Sequence, residues 1–267
     1  MNQEEFTMES PIKYPERGNI LGVGVSAINM QQALDTIDYW IRTHDPHYVC
    51  VTPAHAIMDC YRSSELRRIY NHSGLTTPDG MAIVWLLKWQ GFQNVERVYG
   101  PDLLKAVCQR SLENGYRHYF YGGAPGVAER LSQKIDQKYS GLQIVGLDSP
   151  PFRELTPQED EAAVQKICAA NPDIVWIGIG SPRQECWMID HLKRVGAPVM
   201  IGIGAAFDFI SGNKPQAPPW MQRNGLEWFF RLANEPRRLW RRYLLNYPRF
   251  AVLVLLQLIG LKQYPMN

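Results

Sequence analysis

Short apolar runs rich in β-branched and aromatic residues alternate along this chain with longer stretches whose apolar positions recur every three or four residues. The first pattern predicts strands and the second amphipathic helices. Strands are expected over Ile20–Val25, Tyr48–Thr52, His118–Tyr121, Ile144–Leu147, Ile174–Ile179 and Val199–Ile203. Between them, helices are expected over Gln31–Thr43, Ala54–Tyr70, Gly80–Trp89, Asp102–Asn114, Val127–Tyr139, Gln158–Ala170 and Pro182–Val195. Strand and helix in alternation predict an α/β fold with a mostly parallel, Rossmann-like sheet flanked by helices.

Three of the predicted strands end in small residues: Gly122-Gly123-Ala124-Pro125-Gly126, Gly178-Ile179-Gly180-Ser181-Pro182 and Gly202-Ile203-Gly204-Ala205-Ala206. Open α/β sheets bind ligands at the carboxyl ends of their strands, where glycine lets a nucleotide approach the backbone. Past Gly212 the pattern changes to Lys214-Pro215-Gln216-Ala217-Pro218-Pro219 and then to an aromatic, arginine-rich tail. The chain therefore divides into a flexible N-terminal segment (1–18), an α/β catalytic core (19–212) and a helical C-terminal appendage (213–267).

Composition refines this picture in three places. At 267 residues and 45% hydrophobic, the chain can bury a substantial core. A balance of 28 Lys+Arg against 26 Asp+Glu gives no overall reason to expect nucleic acid as a partner. The charge is local: Arg223, Arg231, Arg237, Arg238, Arg241, Arg242 and Arg249 crowd the tail, opposed there only by Glu227 and Glu235. Scattered cysteines without metal spacing and an N-terminus without a basic start or apolar run suggest a reduced, cytoplasmic setting. The longest apolar run, from Phe250 to Leu261, is about a dozen residues where a bilayer span needs roughly 20. It is expected to touch a membrane and not to cross one.

Several motifs carry candidate chemistry, each beside a purely structural reading. In Thr77-Pro78-Asp79-Gly80, the aspartate either caps the following helix or projects into a crevice as a proton acceptor. In Glu96-Arg97-Val98-Tyr99-Gly100-Pro101-Asp102, Arg97 is either solvated or a fork for a phosphate or carboxylate. Ser181 can cap a helix opened by Pro182, and Gln184 on its first turn can also hydrogen-bond a nucleotide or sugar. The stretch from Gly202 to Asp208 lacks the third glycine and the later acidic residue of a dinucleotide fingerprint; Asp208 could instead meet a base or ribose. Arg231, Arg238 and Arg241 recur at spacings of seven and three, which would put them on one face of a single helix. Interleaved with aromatics and followed by an apolar run, they suit an interfacial helix on an anionic leaflet, or a diphosphate site. The chain contains no P-loop, nucleophile elbow, His-Glu-x-x-His or Asp-x-Asp motif.

Taken in order, the Asp79, Arg97 and Gln184 motifs, Gly202-Ile203-Gly204-Ala205-Ala206-Phe207-Asp208-Phe209 and Gly225-Leu226-Glu227-Trp228 resemble the TagA/WecG/CpsF glycosyltransferases, glycosyltransferase family 26, from about Asn19 to Phe250. The resemblance implies an inverting transfer from a UDP-sugar donor to a polyprenyl-diphosphate-linked saccharide in surface polysaccharide or wall polymer synthesis. It calls for neither metal nor cofactor, and it makes Asp79 the base. It further implies substrate-binding roles for Thr52, Arg97, Gln184 and Asp208, with Arg231, Arg238 and Arg241 contacting the diphosphate. It also allows self-association into a homo-oligomer and implies docking on the inner face of the cell membrane through the tail. One departure is visible: many members read Thr-Pro-Asn where this chain has Thr52-Pro53-Ala54-His55, which opens the donor sugar and puts His55 beside the vacated position. A nicotinamide-dependent oxidoreductase and a noncatalytic membrane-recruited scaffold are the alternatives from other classes.

Overall fold

The computed structural model describes residues 14–266; most of the segment expected to be flexible thus lies outside the described residues. The described chain opens with a hairpin of β1 (Arg17–Ile20) and β2 (Val23–Ser26), paired antiparallel with Ile20 opposite Val23. The single strand expected over Ile20–Val25 is therefore folded in two. Leu21 and Gly22 both take positive φ, 52° and 86°, as a two-residue turn of the tight hairpin type requires. Leucine at such a position disguises the turn, and full burial of its side chain compensates for the unfavourable backbone.

There follow α1 (Met30–Thr43), β3 (His47–Thr52), α2 (Ala54–Arg62), α3 (Ser64–His72), β4 (Leu75–Pro78) and α4 (Met81–Trp89). The helix expected over Ala54–Tyr70 breaks at Ser63, whose Oγ accepts a hydrogen bond from Leu66 N–H and so starts a second helix. The chain continues through α5 (Gly100–Asn114), β5 (Arg117–Gly122), α6 (Val127–Lys138), β6 (Gln143–Asp148), α7 (Pro157–Ala170), β7 (Ile174–Gly178), α8 (Arg183–His191), β8 (Val199–Gly202) and α9 (Ala206–Ser211). The tail consists of α10 (Pro219–Arg223), α11 (Glu227–Asn234), α12 (Pro236–Trp240), a π-helical turn (Arg241–Leu245) and α13 (Asn246–Leu258).

Six strands form one parallel sheet in the order β4-β3-β8-β7-β5-β6. The chain runs outward from β3 to β4 on one flank and from β5 to β6 on the other, so a crevice opens at the carboxyl ends of the central strands. Those strands are apolar on both faces, as a sheet covered on both sides must be. Tyr48, Cys50, Val175, Ile177 and Met200 face a layer that includes the hairpin, α2, α3, α4, α8 and α13. Val49, Val51, Ile174, Trp176, Val199 and Ile201 face the opposite layer of α1, α5, α6 and α9. Close approach requires glycine where β7 ends: a Cβ on Gly178 would lie 2.5 Å from the ring of Phe207.

The tail is not a loose extension. Phe250, Leu253 and Val254 of α13 are buried in the first core layer with Ile20 and Leu21. Gln257 accepts a hydrogen bond from Leu21 N–H and donates one to the carbonyl of Asn19, both at 2.9 Å. Among the described residues no helix is long and apolar enough to cross a membrane.

Candidate active site

The loops after β5, β7 and β8 enclose a polar cavity of about 490 Å³ at the carboxyl ends of the strands. Gly123, Gly178, Gly180 and Gly204 supply bare backbone to its floor, and Arg231, Arg238 and Arg242 of the tail line it opposite. A second cavity, about 610 Å³ and mostly apolar, lies between α4 and α13. Met81, Trp85 and Trp89 form one wall of it, and Phe250, Val254 and Leu258 the other. The two cavities share Pro53, His55, Asp79 and Arg231.

Asp79 stands at that junction. Its backbone N–H bonds to the carbonyl of Thr52 at 3.3 Å, which fixes the residue just past the end of β4. Gly80, at φ 100°, then turns the chain into α4 without any side-chain cap. Of the two roles open to Asp79 in the sequence, capping is therefore not the one adopted. The carboxylate instead faces Arg97 at 3.6 Å and keeps 15% exposure. Burial pushes its pKa up to about 6, with Arg97 pulling it down and Glu227 pushing it up.

Arg97 is a carboxylate fork. It forms an ion pair with Glu227, bonds Gln222 Oε1 at 3.2 Å, and stacks over the ring of Tyr99 at 3.9 Å. Tyr99 in turn donates to Glu227 at 3.0 Å. Residues from the end of β4, the loop before α5, α10 and α11 thus meet in one network, and Glu227, which the sequence offered only as part of the Gly225–Trp228 motif and without a role, is a member. Burial and the neighbouring carboxylate both push the Tyr99 phenol up, so it stays a donor.

The other expected site residues divide into three groups. Gln184, Asp208, Arg231 and Arg238 line the polar cavity. Gln184 donates through Nε2 to the buried Glu185 at 2.9 Å, which leaves its Oε1 buried without a partner. The Nε of Arg231 and the Oγ of Ser181 are likewise buried and unpartnered, so the cavity lining keeps open polar groups for a ligand. Asp208 is held by Asn213 at 2.7 Å and by Lys214 at 3.5 Å, and Arg238 pairs with Glu235 at 2.6 Å.

Thr52 lies outside both cavities. It is fully buried, and its Oγ1 donates to the carbonyl of Cys50 at 2.9 Å; its contribution to the site runs through the carbonyl that positions Asp79. Nor does Ser181 cap α8, which starts after Pro182 without a side-chain cap. Arg241 also departs from expectation: it is exposed, over the ring of Trp240 at 5.3 Å, and Arg242 lines the cavity in its place. The seven-and-three spacing presumed one continuous α-helix. Glu235 and Pro236 break α11 from α12, and the π-helical turn beginning at Arg241 changes the phase again. Among the described residues, no group of three or more His, Cys, Asp or Glu side chains is placed to hold a metal ion.

Comparison with known proteins gives consistent matches. The model of the family described as glycosyl transferase WecG/TagA/CpsF matches residues 18–264. The N-acetylglucosaminyldiphosphoundecaprenol N-acetyl-beta-D-mannosaminyltransferase of Bacillus subtilis (strain 168) is 31% identical over 187 residues, 70% of each chain. The enzyme of the same name from Bacillus spizizenii (strain ATCC 23059 / NRRL B-14472 / W23) is 30% identical over 178 residues, 67% of this chain and 66% of the relative.

Proposed function

The chain belongs to the WecG/TagA/CpsF glycosyl transferase family, and on that premise we propose that it moves a sugar from a UDP-sugar to a saccharide carried on a polyprenyl diphosphate, with inversion and without a metal. The observation that carries this reading is the position of Asp79, a carboxylate with its pKa raised to about 6, where a polar cavity meets an apolar one. Two unlike cavities joined at a base suit two unlike substrates.

The donor diphosphate lies in the polar cavity against Arg231, Arg238 and Arg242, where guanidinium forks match phosphate oxygens. The isoprenoid end of the acceptor lies between α4 and α13, which brings the acceptor sugar to the junction. A hydroxyl of that sugar gives its proton to Asp79 as its oxygen attacks the anomeric carbon from the face opposite the diphosphate. The bond from that carbon to the diphosphate oxygen breaks, and UDP departs with the electron pair. One displacement gives one inversion. At neutral pH a carboxyl with a pKa near 6 is ionised, yet more basic than an ordinary aspartate. The arginines supply the charge that stabilises the departing diphosphate.

Leu244, Leu245, Leu255 and Ile259 are exposed on the tail beside its arginines. That combination supports docking on an anionic leaflet at the inner face of the membrane, where the acceptor resides. The relatives' names specify an N-acetylmannosaminyl group moved to an N-acetylglucosaminyl lipid. Ala54 and His55 stand beside the junction in this chain, so the transferred sugar is to be read from a panel of UDP-sugars. With a polyprenyl-diphosphate saccharide as acceptor, UDP release is expected to depend on the acceptor and to fall by about 10²- to 10⁴-fold in Asp79→Asn. Unchanged release in that variant would remove Asp79 as the base. A folded wild type that bound no UDP compound would overturn the whole reading.

A further inference from the structure

His55 occupies the first turn of α2, one residue past its start, and lines both cavities beside Asp79. It is 8% exposed, and neither ring nitrogen is among the side-chain atoms buried without a partner, so its nitrogens are open to the cavities it lines. A ligand there can reach the imidazole directly. Its surroundings are cationic from several sides. Arg231 of α11, Arg238 of α12 and Arg242 of the π-helical turn all bear on it electrostatically, and the N-terminus of its own helix adds a partial positive charge. The nearby carboxylates are engaged elsewhere: Asp79 with Arg97, and Asp59, one turn along α2, with Arg62 at 3.0 Å.

We infer that His55 is a second catalytic residue: it takes up a proton from solvent when a nucleoside diphosphate sugar fills the arginine cluster, and it donates that proton to the diphosphate oxygen from which the sugar departs. This inference rests on reading the polar cavity as the donor site. In the empty site, burial first, and then Arg242, Arg231 and Arg238, hold the imidazole well below its usual pKa and therefore neutral. The ligand reverses that balance. A diphosphate diester brings two negative charges to the same three guanidiniums, cancelling the field that disfavours imidazolium and placing an anion beside the ring.

The chemistry balances across the two sides of the junction. On the acceptor side, the hydroxyl proton passes to Asp79. On the donor side, the electron pair of the broken bond stays on the diphosphate oxygen, which receives the imidazolium proton. Release of protonated UDP then returns His55 to its neutral state, and Asp79 gives its proton to solvent. Burial raises the Asp79 carboxyl, and burial with the three arginines lowers the His55 imidazole; the two groups line the same two cavities, and it is the diphosphate, bound on the His55 side alone, that gives them opposite roles.

The test is calorimetric titration of the full-length protein with UDP-N-acetylglucosamine, whose diphosphate carries no proton that titrates near neutrality. It is run at pH 7 in buffers of different ionisation enthalpy, for the wild type and for His55→Gln. Glutamine keeps a hydrogen-bond donor at the position but cannot accept a charge. The wild type is expected to take up a substantial fraction of a proton per ligand bound, and His55→Gln none. Turnover of the variant should fall about 10²-fold with its donor KM within a few-fold, and it should lose the alkaline limb that the wild type owes to deprotonation of the bound-state imidazolium. Binding without proton uptake in the wild type, or equal uptake in His55→Gln, overturns the inference and leaves the donor-site reading standing. If neither this ligand nor any other UDP-sugar binds, the donor-site reading falls, and the inference falls with it.

Discussion

Burial sets the working range of Asp79, and the consequences separate cleanly by pH. A base acts ionised, so kcat/KM is expected to rise through an acid limb near pH 6, where the Asp79 carboxyl titrates. Arg97 lowers that value, so Arg97→Met should move the limb to higher pH in a pH–rate profile. The same burial works against the fold. The native carboxyl holds its proton to a higher pH than the unfolded one, near 3.8, so stability falls as pH rises from about 4 to 6 and stays lower above. Asp79→Asn should therefore melt a few °C higher than the wild type at pH 7 and equal it below pH 4, as an inactive but more stable protein. A second comparison concerns the arginines: Arg242→Ala should raise the donor KM about tenfold or more, and Arg241→Ala should stay within twofold. Part of this cavity was legible in the sequence, because Gln184 and Asp208 follow strand ends marked by small residues, and Asp79 stood out through its place before an apolar helix. The pairing of Glu227 with Arg97 was not, because it spans 130 positions and such a contact leaves no local trace.

Elements were legible where their ends carry their own chemistry. Asn29 and Gln32 form a reciprocal cap on α1, and Thr156 and Glu159 do so on α7 behind Pro157. Both helices begin within a residue of where the periodicity places them. β4 escaped notice because Leu75-Thr76-Thr77-Pro78 is four residues long and half hydroxylated, with the polar groups satisfied only in three dimensions. Thr76 N–H, for example, bonds Ser26 Oγ of the hairpin at 3.0 Å. Arg241 was set on one face with Arg231 and Arg238 for a related reason: helical periodicity assumes an uninterrupted helix. At this scale the contact between α13 and the hairpin can be measured. Gln257→Ala removes two hydrogen bonds between them, and chemical denaturation should register a loss of about 1–3 kcal/mol. The cavity between α4 and α13 has its own test. Leu255→Glu at its exposed rim should raise the KM for a long-chain polyprenyl acceptor about tenfold and leave UDP binding unchanged, because a charge there opposes entry of the isoprenoid.

The whole molecule presents one parallel sheet between two apolar layers, with its apolar cavity and exposed apolar side chains of the tail meeting around the same helix, α13. Docking by that surface predicts binding to anionic vesicles that weakens as salt screens the arginines. Replacing the exposed Leu244 and Leu245 by aspartate should abolish vesicle binding while the melting temperature stays within a few °C. Turnover should be indifferent to EDTA if arginines alone carry the leaving-group charge. The bonds from Gln257 to Asn19 and Leu21 bear on something else, the order in which the chain is made. The hairpin leaves the ribosome before α13 and finds its partner only after residue 257 has been synthesised, and Asp79 waits for Glu227 in the same way. A nascent or prematurely terminated chain can assemble much of the sheet, yet it has neither a closed first layer nor the network of Asp79, Arg97 and Glu227. Translation itself therefore withholds a finished site until residue 257 has been added.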